Sequence, residues 1–442
     1  MQAEMKYIFI ILIGLLVLNT QAQVLDANML EPVATDVFLV AEQVDSIITN
    51  GIKNQAFPGS QVLVAHKGNI IFHQAYGFHT YDSIQPVALN DMYDLASVTK
   101  ILGPLPALMK LVDEGKLDLD LPFSTYWKPW RRIKDKRDLT LREILAHQSG
   151  LKPYIVFLNE VLKKDGQPKK RFIKSNKGKG FDKEAYPGIY VKNRFNRKIY
   201  RMINRSKVSE EKKYVYSGLT FLIFPELISQ LTGQSYESYL NSTFYKPLGA
   251  NTLGFLPVSK NFSNAIVPTE MDTLFRHTLT KAWVHDENAS LLGGVSGNAG
   301  LFGTTDDLAK MMQFFMQFGS AEGKQLISEE VVKEFTNVQF PDNENRRGLG
   351  FDKPLLNNRE LSLEDAYPAP EVSPQSFGHS GFTGTFVWAD PENQLVYIFL
   401  SNRVYPTRDN RNLYALNIRS AVQQVFYKAI EQRQTANVLE RP

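Results

Sequence analysis

Strand-forming sequence lies at the two ends of this 442-residue chain, with a long helical middle between. Residues 61–65 and 70–76 are β-rich runs joined by the turn signal His66-Lys67-Gly68-Asn69. Residues 377–388 and 394–402 flank a second turn signal, Asp390-Pro391-Glu392-Asn393. A lone hairpin is marginal in water, so each pair needs further strands or a helix to cover it. The arrangement predicts an α+β fold: one antiparallel sheet flanked by helices, built from both chain ends, with a mostly helical subdomain inserted. The expected sheet subdomain is 34–110 with 320–430, and the helical subdomain is 111–319.

Apolar residues at helical spacing support this division. Val37, Val40, Val44, Ile47 and Ile48 predict an amphipathic helix over 36–51. Further helices are expected at 105–117, 139–151, 216–231, 236–245, 306–318 and 410–431. Pro104 and Pro106 should kink the first of these or end its opening turn. Gly115 and Gly233 are expected helix stops. Thr304, Thr305 or Asp306 would cap the 306–318 helix, and Asp409 the last one.

Residues 1–22 read as a targeting segment. Lys6 supplies a positive start, 7–18 is an apolar run, and Thr20-Gln21-Ala22 offers small residues for cleavage before Gln23. An uncleaved anchor is the alternative, but the run is short for a span, so no stable membrane insertion is expected after cleavage. There is no cysteine, which excludes disulfides, thiolate metal sites and cysteine nucleophiles. An exported chain without disulfides points to a bacterial envelope, periplasmic or secreted.

The formal net charge of +4 makes no case for nucleic acid. It hides an asymmetry: residues 163–213 hold 18 Lys and Arg against 5 Asp and Glu. That stretch reads as a solvated insertion. The alternative is a surface attracting anionic cell-wall glycan, a teichoic-type polymer or lipid headgroups, with Phe172, Tyr186, Tyr190, Phe195 and Tyr200 for sugar stacking.

Three serines stand three residues before a lysine: Ser97-Lys100, Ser149-Lys152 and Ser209-Lys212. At a helix start this spacing puts hydroxyl and amine on one face, one way to make a serine nucleophilic without histidine. Only Ser97-Val98-Thr99-Lys100 runs into an apolar helix and sits where the first part of the sheet domain hands over to the helical insert. Clefts between subdomains are usual places for sites. The cluster His285-Asp286-Glu287 lacks metal-ligand spacing, so neither metal nor cofactor is expected.

With these motifs in hand, the chain resembles the serine β-lactamase and penicillin-binding protein superfamily, on its class C β-lactamase, D,D-peptidase and esterase branch. Ser97-Val98-Thr99-Lys100, Tyr216-Ser217-Gly218 and His379-Ser380-Gly381 match that family's three motifs in order. The likeness runs from about residue 34 to about 429. It implies that Ser97 attacks an acyl carbonyl, that Lys100 assists its deprotonation, and that Tyr216, opening its helix, relays protons. It implies an oxyanion hole from the backbone N–H groups of Ser97 and of Phe382 on the third-motif strand, and substrate binding by Ser380, Gly381 and Phe382. His285 and Asp286 would border the cleft as substrate contacts.

Two positions depart from the family pattern. Gly218 stands where an Asn or Asp side chain is common, which disfavours efficient β-lactam turnover. His379 stands where many β-lactamases have lysine, and should titrate near neutrality, supply positive charge to Tyr216 and make substrate carboxylate binding pH-sensitive. The resemblance implies a serine hydrolase acting on peptidoglycan-derived amide bonds, of the D,D-carboxypeptidase or N-acetylmuramoyl-L-alanine amidase type, with a small-molecule or muropeptide substrate. A broad esterase or weak β-lactamase is one alternative. A non-catalytic penicillin- or glycan-binding protein is another.

Overall fold

The computed structural model describes the chain over residues 34–439, so the targeting segment at 1–22 lies outside the described residues. Five strands make one antiparallel sheet: β1 (Gly59–His66), β2 (Asn69–Gly77), β3 (Phe377–Ser380), β4 (Phe386–Asp390) and β5 (Leu395–Ser401). Their order is β3-β4-β5-β1-β2. The two chain ends meet at the β1–β5 pair, where Val62 lies opposite Phe399 and Leu63 opposite Ile398.

Strands β4 and β5 are apolar at nearly every position because both faces of the sheet are covered there. Val62, Val64, Tyr397 and Phe399 point to one side, against Val44 and Ile48 of the Ala34–Lys53 helix and Val422 and Phe426 of the Ile418–Leu439 helix. Leu63, Ala65, Ile398 and Leu400 point to the other, into the larger core with Met312 and Phe315 of the Thr305–Met316 helix. Neighbouring residues thus serve separate cores, as the strand period of two requires.

Several boundaries differ from the sequence expectation. The 377–388 run is two strands, with Gly381 N–H donating to Thr385 O across the turn. Gly384 has φ 111°, a conformation that side chains oppose. Phe382 therefore sits in the β3–β4 turn rather than on a strand. Tyr216 does not open a helix: the Phe224–Thr232 helix starts later, with Pro225 in its first turn. The Tyr216 segment is held as coil because Gly218 N–H bonds Pro153 O and Ser217 Oγ bonds Lys152 O. Pro104 begins a new helix, Pro104–Asp113, after Gly103 breaks the short Thr99–Leu102 helix. Asp409 caps nothing, since Asn412–Ala415 is a separate turn of helix and Asn417, at φ 45°, interrupts the chain before Ile418. Thr304 is the cap before Thr305–Met316.

The basic stretch is more structured than a solvated insertion. It contains a three-stranded sheet, Ile173–Lys174, Lys183–Tyr186 and Ile189–Val191, and the Phe195–Arg205 helix. Ala185, Val191, Phe195, Ile199 and Ile203 are buried in the main core. Most of its charged side chains are exposed.

Candidate active site

The turn carrying Ser97 is built on a buried carboxylate. Asp94 accepts hydrogen bonds from Ala96 N–H at 2.9 Å and from His285 N–H at 2.6 Å. Burial pushes its pKa up, against the pull of those two donors. Ala96 is held at φ 46°, a left-handed conformation that costs an ordinary residue roughly 1–2 kcal/mol. Ser97 follows in the 3₁₀ turn Ala96–Val98, which leads into the Thr99–Leu102 helix.

The β3–β4 turn clamps this segment from outside. Thr383 Oγ1 donates to Asp94 O at 2.8 Å and Thr385 Oγ1 to Leu95 O at 3.0 Å. Gly381 lies so close that a Cβ there would come 2.0 Å from Thr385 Oγ1 and 2.6 Å from Leu95 O. The first and third motifs are therefore one packed unit.

Lys100 is 3 % exposed. Its Nζ donates to Ser97 Oγ at 2.8 Å and to Asn298 O at 3.1 Å, and lies 5.3 Å from the centre of the Tyr216 ring. The other two Ser-x-x-Lys matches make no such pair. Ser149 follows the Leu141–Leu145 helix in a turn, and Ser209 is tied to Gly150 while Lys212 pairs with Glu143.

Tyr216 stands between two imidazoles, with ring centres 4.5 Å from His147 and 6.0 Å from His379. His147 Nδ1 accepts from Ser217 N–H, fixing the second motif. The Tyr216 hydroxyl, His147 Nε2 and His379 Nε2 are buried and have no hydrogen-bond partner among the described residues.

His379 differs from expectation in charge. Burial first, then Arg347 and Lys100 nearby, lowers its pKa to about 3. It is a neutral imidazole across the physiological range, with Nδ1 against Ser380 O at 2.7 Å. It does not supply positive charge to Tyr216. Arg347, which sequence reasoning missed, stands there instead: buried, with its guanidinium carbon 5.6 Å from the Tyr216 ring centre. Asp352 holds it at 3.0 Å and also pairs with Arg346. Burial works to raise the Asp352 pKa, but the two guanidiniums override it and bring it to about 2.

His285 and Asp286 border the site through internal bonds. His285 Nε2 is 2.8 Å from Glu270, and its ring stacks on Phe382 with centres 5.7 Å apart. Asp286 caps the Glu287–Leu291 helix and accepts from Asn298 Nδ2 at 3.1 Å. Asn298 in turn presents its carbonyl to Lys100. The expected substrate contacts thus position Phe382 and Lys100. Phe382 is exposed at the rim, backed by Arg403, and Ser380 reaches the Tyr367 hydroxyl. Beside Lys100 the second motif leaves room: a Cβ on Gly218 would meet only Lys100 Cε, at 4.0 Å. Among the described residues no acidic, His or Cys cluster could hold a metal, and no helix is long and apolar enough to cross a membrane.

The sequence profile of the family described as Beta-lactamase matches residues 44–421. The chain belongs to the beta-lactamase family. Two relatives are called "Putative D-alanyl-D-alanine carboxypeptidase". One, from Salmonella typhimurium, is 30 % identical over 387 residues, 82 % of each chain. The other, from Escherichia coli O157:H7, is 29 % identical over 405 residues, 85 % of this chain and 84 % of that one. Among solved structures, the fold matches EstCE1, a hydrolase with promiscuous acyltransferase activity, at TM-score 0.62 and 18 % identity, over 88 % of this chain and all of that one. It also matches the class C beta lactamase of Rhodobacter sphaeroides at TM-score 0.61 and 16 % identity, over 87 % of this chain and 99 % of that one. This beta-lactamase-family chain is a serine hydrolase with the α+β sheet of those structures.

Proposed function

We propose that this protein is an exported hydrolase of the bacterial envelope that cleaves peptidoglycan-derived amide bonds through an acyl-enzyme on Ser97. The single observation that carries the reading is the 2.8 Å bond from Lys100 to Ser97 Oγ, with the Tyr216 ring centre 5.3 Å from the same amine. Lys100 or Tyr216, acting as general base, takes the Ser97 proton as Oγ attacks the carbonyl carbon. The proton then reaches the leaving amine through Tyr216, and the acyl-enzyme is released by water along the same relay. The N–H groups of Ser97 and Phe382 would receive the oxyanion, where one lost donor typically costs ~10²–10³ in rate. The relatives' names favour a D-alanyl-D-alanine carboxypeptidase; the muramoyl–L-alanine amide is the second candidate bond.

A broad esterase is the competing reading, favoured by Gly218 and the uncharged His379, neither of which grips an amide-bearing substrate. Mass spectrometry of peptides ending in D-Ala-D-Ala, of intact muropeptides and of short acyl esters separates them. Loss of the terminal alanine, abolished in Ser97→Ala, is the expected result. Turnover of butyrate-type esters with no muropeptide cleaved would overturn it, and peptide hydrolysis surviving Ser97→Ala would sink the nucleophile.

A further inference from the structure

Six of the cations of the basic insertion line one groove. It measures about 920 Å³ and runs between the Phe195–Arg205 helix and the Lys152–Ile155 segment, a size that suits a small molecule or short peptide. Six exposed cations line it: Lys152, Lys192, Arg194, Arg197, Arg201 and Arg205. Glu160 is the one acid in its lining among the described residues, and it is taken by Lys198. Ile155, Phe172, Phe195 and Met202 provide an apolar floor.

Helix geometry explains the row. Arg194, Arg197, Arg201 and Arg205 recur every three or four residues, so they follow one side of the helix over roughly 16 Å. Phe195, Ile199 and Ile203 hold the other side in the core. Like charges repel along such a row; the cost is recovered when anions lie across it.

The groove adjoins the candidate active site by direct bonds. Lys152 O accepts from Ser217 Oγ at 2.6 Å, so the rim is fastened to the second motif. Ile155 O accepts from Asn288 Nδ2 at 3.1 Å. Asn288 follows Asp286, which holds Asn298, which holds Lys100.

We propose that this groove is an extended subsite for the non-reacting part of the acyl substrate, a peptide carrying two or more carboxylates. The inference rests on Ser97 as the reacting centre. A substrate anchored here places its scissile carbonyl toward Ser97 while its acidic side chains lie along the arginine row. The apolar floor suits the aliphatic parts of a peptide, and the arginine row suits its carboxylates.

Binding to the Ser97→Ala protein tests the subsite without turnover. A fluorescent tripeptide with two free carboxylates is titrated beside the same peptide with both amidated, at low and high salt. The acid should bind about tenfold tighter or more at low salt, with the difference shrinking as salt screens it. Arg197→Gln with Arg201→Gln, both on exposed positions, should remove that preference while leaving the unfolding midpoint in place. Equal binding of acid and amide overturns the proposal, as does a preference that survives the double substitution. Inorganic polyphosphate binding more tightly than the acid peptide and displacing it would also overturn it, in favour of a phosphate-polymer surface. Peptide hydrolysis by the unsubstituted protein is scored separately, so failure of the Ser97 reading is distinguishable from failure of the groove.

Discussion

The guanidinium carbon of Arg347 lies 5.6 Å from the ring centre of Tyr216, and Lys100 Nζ lies 5.3 Å from the same ring. Two cations therefore share one tyrosine, while His379 beside it is uncharged. If Tyr216 relays the proton as proposed, negative charge developing on its oxygen would be stabilised by the neighbouring Arg347 guanidinium in a poorly hydrated setting, where such charges act strongly. Arg347→Gln should lower the acylation rate roughly 10–100-fold, an effect of about 1.4–2.7 kcal/mol on the barrier, with little change in KM. Arg347→Lys should recover part of it. Burst kinetics with a p-nitrophenyl ester reads both. Unchanged acylation in a folded Arg347→Gln protein would remove Arg347 from the relay.

Gly218 leaves space next to Lys100 that a side chain can enter, with only Lys100 Cε at 4.0 Å from a Cβ. Gly218→Asn should therefore fold, with a stability change within about 1 kcal/mol. Its amide would reach the substrate side of Lys100, and nitrocefin hydrolysis should rise about tenfold relative to ester hydrolysis. A constant ratio of the two activities would show that this position does not set the preference.

Gly381 has no such space. A Cβ at 2.0 Å from Thr385 Oγ1 and 2.6 Å from Leu95 O must displace the backbone that positions Ser97. Overpacking of this kind costs about 1–3 kcal/mol. Gly381→Ala should lose at least about 100-fold in acylation and lower the urea midpoint, whereas Phe382→Ala, on the exposed rim, should leave the midpoint nearly unchanged. Wild-type acylation by Gly381→Ala would contradict the packed unit described for the first and third motifs.

His379 and His147 predict the acid limb of stability. Both have folded pKa values depressed first by burial, His379 to about 3 and His147 well below its ordinary value. Between those values and the unfolded ~6.5, the unfolded chain binds more protons than the native one. Stability must therefore rise with pH over that window and be lost as pH falls from about 6.5 toward 3. Asp352, held at about 2, adds a loss that begins only near pH 4. Urea midpoints from pH 4 to 7.5 should fall steadily below pH 6.5, and more shallowly in His379→Asn. The same depressed pKa predicts that KM shows no titration of His379 between pH 5 and 8; a midpoint near 6.5 in KM that disappears in His379→Asn would refute the buried neutral imidazole.

Period and order along the chain were enough to predict much of this molecule. The two β-rich pairs, the apolar helix stripes and the turn residues specified one sheet closed by both chain ends, because each element had a face that only the others could bury. Ser97 and Lys100 were legible because three residues of helix bring two side chains together without help from the rest of the fold. The start of the Tyr216 segment was not, since its coil is held by bonds to Lys152 and Pro153, more than 60 positions earlier in the chain. Arg347 carried no local signal either. It meets Tyr216, more than 130 positions earlier in the chain, only through tertiary packing, and its charge survives there because Asp352 is buried beside it. The charge of His379 was decided in the same way: an imidazole of ordinary pKa in sequence becomes neutral when burial and two nearby cations make its proton costly. Sequence by itself determined which residues could do the chemistry; the tertiary structure decided which of them carry charge, because burial and the distance between charges exist only in the folded chain.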